Sequence, residues 1–565
     1  MTDPLNIELD LRQSHDQSIG VSLTWTPVSQ RQILQFPLWT PGSYTVRDPA
    51  QYLHGLDLQS KAGSISLRRL APNRWVADLP DLSPLQLSYW LEARNLTVRT
   101  AHLDPDFASI SPAAVVMEVD GFRWLPHFLT VKAPDPWSVH CPLPGHGHGW
   151  VASDFDALID SPIHGGEFAS EPFSVMGHQH ELLLIGSPPH GWPQDFVHDV
   201  ERVCDATCRL MGTPPPAGDR YQLVIQMLDS GYGGLEHDHS AVLQYSWEAL
   251  AKPQGYRQLL QLVGHEYLHQ WNVRRLRPVE LRPYDYGQSV VSEGLWFAEG
   301  ITSYFDLALP LIAGCSDRPT LLRDLGDELS RVMLTPGRKV QSLAASAEEA
   351  WIKLYKSTVV SADTQISYYR LGAATAFCLD VRLRSVGSSL SVLLRKLWDQ
   401  FGRLDRGFQR RDVLDVLRLA DPSLATDLEC WLDHPDSLCL DQCLKLVGLR
   451  IDSLPMKHAH HGLVLADLEG RVVIRRVNSD APGRKAGLVP GDELLAVGGR
   501  RLHQASDVSL LLQEDVPVTV TYARRRLLGE TTLTPTTGIE RWELSCDPAA
   551  TSEQLALRER WFRFL

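Results

Sequence analysis

The 565-residue chain is short of several things, and each shortage excludes a class of protein. It has no CxxC pair, and its nine cysteines, an odd number, are scattered from Cys141 to Cys546. That pattern fits reduced, buried thiols better than a disulfide framework. It has no uninterrupted apolar stretch long enough to cross a bilayer, and Met1-Thr2-Asp3-Pro4-Leu5-Asn6 contains no basic leader followed by an apolar core. The expected compartment is the cytoplasm, with no membrane partner. Positive charge is also short: 54 Lys and Arg face 68 Asp and Glu, a formal charge of -14. A nucleic-acid surface or an anionic membrane is therefore excluded as the main partner. The 44% hydrophobic and 22% charged residues describe a soluble globular chain with room for three or four domains.

The chemistry is concentrated in Gly264-His265-Glu266-Tyr267-Leu268-His269-Gln270-Trp271-Asn272. Residues four apart share a helix face, so His265 and His269 of this HExxH can direct two imidazoles at one metal ion, with Glu266 beside it. The preceding Tyr256-Arg257-Gln258-Leu259-Leu260-Gln261-Leu262-Val263 has apolar residues at helical spacing and no Pro or Gly, which predicts a helix. Downstream, Glu293 to Asp306 reads as a second helix, carrying Glu299 on a face rich in apolar and aromatic residues. A carboxylate in that setting is costly unless it is paired or bound to a cation, so Glu299 is the expected third ligand. Zinc on such ligands acidifies water and polarises a carbonyl, which points to hydrolysis with Glu266 as general base.

On HEYLHQWNVRRLRP (His265 to Pro278) and LWFAEGITSYFD (Leu295 to Asp306), the chain resembles the glycyl aminopeptidase family of zinc metallopeptidases. The resemblance implies one catalytic zinc ion on His265, His269 and Glu299, with Glu266 as base. It also implies a multidomain α+β architecture: a β-sandwich-like N-terminal domain, a thermolysin-like α/β catalytic domain with a helical portion, and a C-terminal PDZ domain. The texture of the chain sets the expected boundaries at 1–186, 187–445 and 446–538, with a helical tail over 539–565. Up to about Gly186, short alternating runs such as Leu85 to Ala93 and Glu181 to Ile185 are separated by Pro, Gly, Asn and Asp clusters. Within that part, Phe36-Pro37-Leu38-Trp39-Thr40-Pro41-Gly42-Ser43-Tyr44-Thr45-Val46-Arg47-Asp48 resembles the family's N-terminal signature. It reads either as a packed turn or as a wall of the substrate cleft.

A helical pattern from Asp195 and a strand at Tyr221 to Leu228 lead to Gly231-Tyr232-Gly233-Gly234-Leu235-Glu236-His237. Glycines followed by an acid at a strand end suit a backbone that must lie against an extended peptide, with Gly233 and Gly234 allowing the approach. The stretch resembles the exopeptidase motif of this clan, which implies that Glu236 holds the substrate's free α-amino group. Farther on, Ile366-Ser367-Tyr368-Tyr369-Arg370-Leu371-Gly372 resembles the family's Tyr-Tyr segment. By its position Tyr369 is the expected oxyanion donor, with Tyr368 the alternative; Arg370-Leu371 stands where the family commonly has a Lys before the Gly.

The last third turns β again. Ala486-Gly487-Leu488-Val489-Pro490-Gly491-Asp492-Glu493-Leu494 and the runs before it resemble a PDZ domain, which implies a C-terminal peptide ligand with Gly462 to Val464 as the carboxylate loop. The function expected from the whole is a zinc aminopeptidase acting on peptides with a free N-terminus, with a family preference for small residues, Gly or Ala. Two alternatives stand beside it: a PDZ-recruited metallo-endopeptidase, and a peptide-binding adaptor without turnover.

Overall fold

A computed structural model describes residues 4–565. The N-terminal part is β-rich, built as one eight-stranded and two four-stranded sheets. Its first strand, Leu5–Asp10, alternates buried Leu5, Ile7 and Leu9 with polar residues and lies inside the large sheet, parallel to His127–Lys132 and antiparallel to Ser18–Trp25. Period-two alternation buries one face of such a strand. The Trp39 to Asp48 segment leaves the sheets and turns toward the catalytic part, where the Trp39 indole donates to the carbonyls of Asp285 (2.7 Å) and Gln288 (2.9 Å).

The catalytic part holds a five-stranded sheet ordered Ala169–Val175, His178–Ile185, Tyr221–Leu228, Ser240–Ser246 and Tyr232–Glu236. The alternation of Glu181 to Ile185 grouped it with the N-terminal strands. It lies instead in this sheet, paired in parallel with Tyr221–Leu228. Alternation reports a buried strand face, and two sheets adjoining in sequence look alike to it. Tyr232–Glu236 forms the outer edge, pairing only through Ser240–Ser246.

Helices fill the rest of this part. The metal-motif helix spans Gly255–Leu268, and Gly264 lets it lie close to Ile301–Ile312, since a Cβ there would sit 2.7 Å from Leu309 Cδ1. The expected second helix is not regular. Trp296–Gly300 winds as a five-residue π turn before the α-helix begins at Ile301.

The PDZ part has its own sheet, with Leu463–Leu468 at one edge, and its own core around Val472, Ile474, Leu494 and Val520. The tail departs from the expected single helix. Ile539–Cys546 is a strand paired with Leu449–Pro455, and only Ser552–Trp561 is helical. That helix returns to the catalytic part, where Trp561 is buried and its indole donates to the Tyr304 hydroxyl at 2.8 Å.

Candidate active site

His265 and His269 project from the end of the metal-motif helix with ring centroids 4.7 Å apart and planes at 88°. Glu299 Oε2 lies 3.5 Å from His265 Nε2 and 3.3 Å from His269 Nε2, so the three expected ligands converge on one point. The far side of each imidazole is held. His265 Nδ1 donates to Asp306 Oδ2 at 2.8 Å, and His269 Nδ1 donates to the Asn272 carbonyl at 2.6 Å. Those bonds fix the tautomer that leaves both Nε2 lone pairs facing Glu299.

These residues fit a divalent cation. Their donor atoms lie within 4.8 Å of one another. Glu299 is 2% exposed and its Oε2 accepts no hydrogen bond, a costly state for a buried carboxylate unless a cation meets it.

The π turn accounts for how Glu299 reaches this point. A π turn breaks the regular bonding pattern of the helix. The Asn272 side-chain amide donates to the carbonyls of Phe297 (3.2 Å) and Ala298 (3.1 Å) while its own carbonyl accepts from His269. One asparagine thus ties the second histidine to the turn that presents the glutamate. On the other side, Gly300 meets Gly372: a Cβ on Gly300 would stand 2.5 Å from Gly372 Cα. That backbone-to-backbone approach brings the helix Tyr368–Ser385 against the π turn.

Of its two leading tyrosines, Tyr369 lines the cleft and Tyr368 is fully buried. Sequence reasoning missed their partner, Tyr355, whose hydroxyl lies 3.0 Å from Tyr369 Oη and 3.3 Å from Tyr368 Oη. Nothing in the short 3-10 turn Leu354–Lys356 that carries Tyr355 marks it.

Glu266 is buried, and burial pushes its carboxyl up against the opposing pull of His265 and His269. Gly234 of the edge strand presses on it so closely that any Cβ there would overlap Glu266 Oε1. Gly233 beside it has φ of +159°, close to fully extended. Glu236 is 3% exposed, and its donor atom lies within 4.8 Å of those of Glu266 and His269. Its Oε1 has no partner.

The N-terminal part closes over this end. Gly42, at φ of +80°, sits so near that a Cβ would be 2.6 Å from both Glu236 oxygens. Arg99 Nη2 donates to the Gly234 carbonyl at 3.0 Å, bracing the edge strand. Both readings of the Phe36 to Asp48 segment hold: Phe36, Trp39 and Tyr44 pack in the core, and Gly42 lines the cleft. Beyond Glu236, Asp160 accepts from His237 Nδ1 at 2.9 Å and from the Asp238 amide at 2.8 Å. Buried Arg274 pairs with Asp160 and Asp238, each at 2.9 Å. Arg274 lies inside the quoted metal motif, but only the fold reveals that it anchors the loop after Glu236.

A profile described as the M61 glycyl aminopeptidase matches residues 258–375, the M61 N-terminal domain matches 6–167, and a PDZ domain matches 473–524. Among solved structures, an aminopeptidase N family protein from Idiomarina loihiensis is 28% identical with a TM-score of 0.91, covering 99% of this chain and 100% of its own. An M1 zinc metallopeptidase from Deinococcus radiodurans is 14% identical with a TM-score of 0.48, covering 76% of this chain and 93% of its own. No curated protein sequence matches the chain. Two M61 profiles in order, a PDZ profile behind them and a full-length structural match to an aminopeptidase N family protein show that the chain carries M61 glycyl aminopeptidase domains followed by a PDZ domain.

Proposed function

We propose that the protein removes small N-terminal residues, glycine or alanine, from peptides, using one zinc ion on His265, His269 and Glu299. The observation that carries the reading is Glu236: a buried carboxylate whose Oε1 has no hydrogen-bond partner among the described residues, set beside Glu266 and His269 and covered by Gly42. Such a group selects an ammonium ion and disfavours a blocked N-terminus. Gly42 packs against both Glu236 oxygens, and this close cover supports an exopeptidase over an endopeptidase. The preference for glycine and alanine is carried over from the family.

Bound zinc would supply Lewis acidity toward the scissile carbonyl and bring the pKa of water to about 7. The chain's residues do the rest. Glu236 fixes the amine, and the edge strand around Gly233 and Gly234 lets the substrate backbone lie alongside it. Glu266 accepts the proton of the attacking water on a carboxylate oxygen and later delivers it to the leaving amine. Tyr369 donates its hydroxyl hydrogen to the carbonyl oxygen as negative charge grows there, a form of stabilisation worth about 3 kcal/mol. Tyr355 orients that hydroxyl.

The nine free cysteines support a reducing compartment such as the cytoplasm, and among the described residues no helix is long and apolar enough to cross a membrane. The edge strand Leu463–Leu468 supports capture of an extended peptide by the PDZ part. Glu266→Gln tests the scheme: turnover of alanyl-p-nitroanilide should fall at least about 10³-fold with zinc still bound, as catalytic-group deletions do. A variant that keeps its zinc and its rate would refute Glu266 as the base.

A further inference from the structure

The cleft has two ends, and they differ in charge. At one end Gly42 covers Glu236. A peptide held there by its amine runs along the edge strand, past Gly234 and Gly233 toward Tyr232, away from the Gly42 contact. Glu328 and Arg331 of the helix Arg318–Leu334, together with Arg370, line the same cavity of about 490 Å³. Arg370 directly follows Tyr369, and Glu328 shares the cavity wall with Tyr232 and with Asp306, which accepts from His265 Nδ1, whereas Glu236 groups with Glu266 and His269. The Glu328 group thus stands at the end from which the leaving part of the peptide emerges.

Its charges do not cancel. Arg331 Nη1 pairs with Glu328 Oε1, and Arg370 Nε lies 3.7 Å from Glu328 Oε2. Two guanidinium groups on one carboxylate leave one positive charge in surplus, and each arginine side chain keeps about half its surface exposed, 51% and 48%. Arg99, the other arginine on the cavity wall, is already engaged by the Gly234 carbonyl. Arginine's planar fork suits a carboxylate, and charge-assisted bonds are the stronger class.

We infer that Arg331 and Arg370 form a carboxylate-binding subsite at the leaving-group end of the cleft, which makes short peptides with a nearby carboxylate the preferred substrates. The inference rests on the aminopeptidase reading above, and the test keeps the two apart. Alanyl-oligoglycines of two to four residues are compared with their C-terminal amides. In parallel, alanyl-glutamyl-glycinamide is compared with alanyl-glutaminyl-glycinamide, which tells a side-chain carboxylate from a terminal one. In the wild type, kcat/KM should favour the carboxylate in at least one pair by about five- to tenfold, the range expected of a charge-assisted contact at a half-exposed site.

The double variant Arg331→Gln/Arg370→Gln should bring that ratio close to one. Glu328→Gln, which releases both arginines, should raise it, a direction that mere damage to the fold would not produce. Ratios near one in every wild-type pair, or a ratio that survives the double variant, would overturn the subsite while leaving the aminopeptidase standing. Failure of the wild type to cleave alanyl-p-nitroanilide would remove the aminopeptidase reading, and the subsite with it.

Discussion

A hydroxyl that must donate to a growing negative charge is useful only if its direction is set beforehand. Tyr369 has one fixed neighbour for this, the Tyr355 hydroxyl at 3.0 Å. Tyr369→Phe removes the donor and should lower kcat by about 10²-fold with little change in KM. Tyr355→Phe removes only the restraint and should lower kcat by about tenfold, again at constant KM; steady-state rates on alanyl-p-nitroanilide separate the two. Equal rates for the wild type and Tyr369→Phe would move the role elsewhere in the cluster. At this scale the sequence spoke unevenly. His265, Glu266 and His269 stand within five positions of one another and are drawn together by helix geometry alone. Tyr355 comes from the single 3-10 turn Leu354–Lys356 and Arg99 from a turn, and no periodicity marks segments so short. Asn272 and Arg274 were inside the quoted motif, yet their partners lie 25 and 36 positions away, beyond what spacing along one helix can express.

Between elements, the decisive contact is that of the π turn Trp296–Gly300 with Asn272 on one side and Gly372 on the other. Asn272→Ala would remove the side-chain tie to the carbonyls of Phe297 and Ala298, which keep the Ile301 amide and the Thr302 hydroxyl, and free the His269 backbone contact to drift. The expected result is metal affinity weaker by about 10- to 100-fold, as for other residues that orient ligands, measured by competition with a chromogenic chelator. Unchanged affinity would mean that the turn holds its shape without the asparagine. Helical patterning identified the segment around Glu299 but not its π winding, because apolar periodicity is nearly blind to one inserted residue. The same limit accounts for the tail. Ile539–Cys546 has polar and apolar residues in an order that suits either period, and its pairing with Leu449–Pro455 decides for a strand.

Across the whole molecule, the parts are joined by polar contacts as well as by core. Asp363, in the turn Ser361–Thr364 between Tyr355 and Tyr368, accepts from the Ser479 amide of the PDZ part at 3.2 Å, and Arg484 approaches it at 3.8 Å. The order of the three parts was legible because composition and turn chemistry change where the parts change. The strand Glu181 to Ile185 shows where that failed, since β texture continues across a junction between two sheets.

The buried histidines give a pH dependence with a definite sign. Burial lowers His164 to about 3 and His127 and His180 to about 4, and neither ring nitrogen of His164 has a hydrogen-bond partner. The unfolded chain takes up these protons below about 6.5 while the folded chain refuses them, so stability is full above that pH and is lost as pH falls toward 4. For His164 alone the loss at pH 5 is about 2 kcal/mol. His164→Leu should flatten the fall in Tm between pH 7 and pH 5, and an equally steep fall would assign the acid sensitivity to other groups.

The claim at the centre of this account is that the cleft hydrolyses peptides only from a free amine, and only with its metal. Hydrolysis of glycyl- and alanyl-p-nitroanilide, run beside the N-acetylated compounds, tests it most directly, with a chelator added and zinc then restored. The account predicts cleavage of the free-amine compounds alone, abolished by the chelator and recovered with zinc. Cleavage of the acetylated compounds, or cleavage indifferent to the chelator, would contradict it.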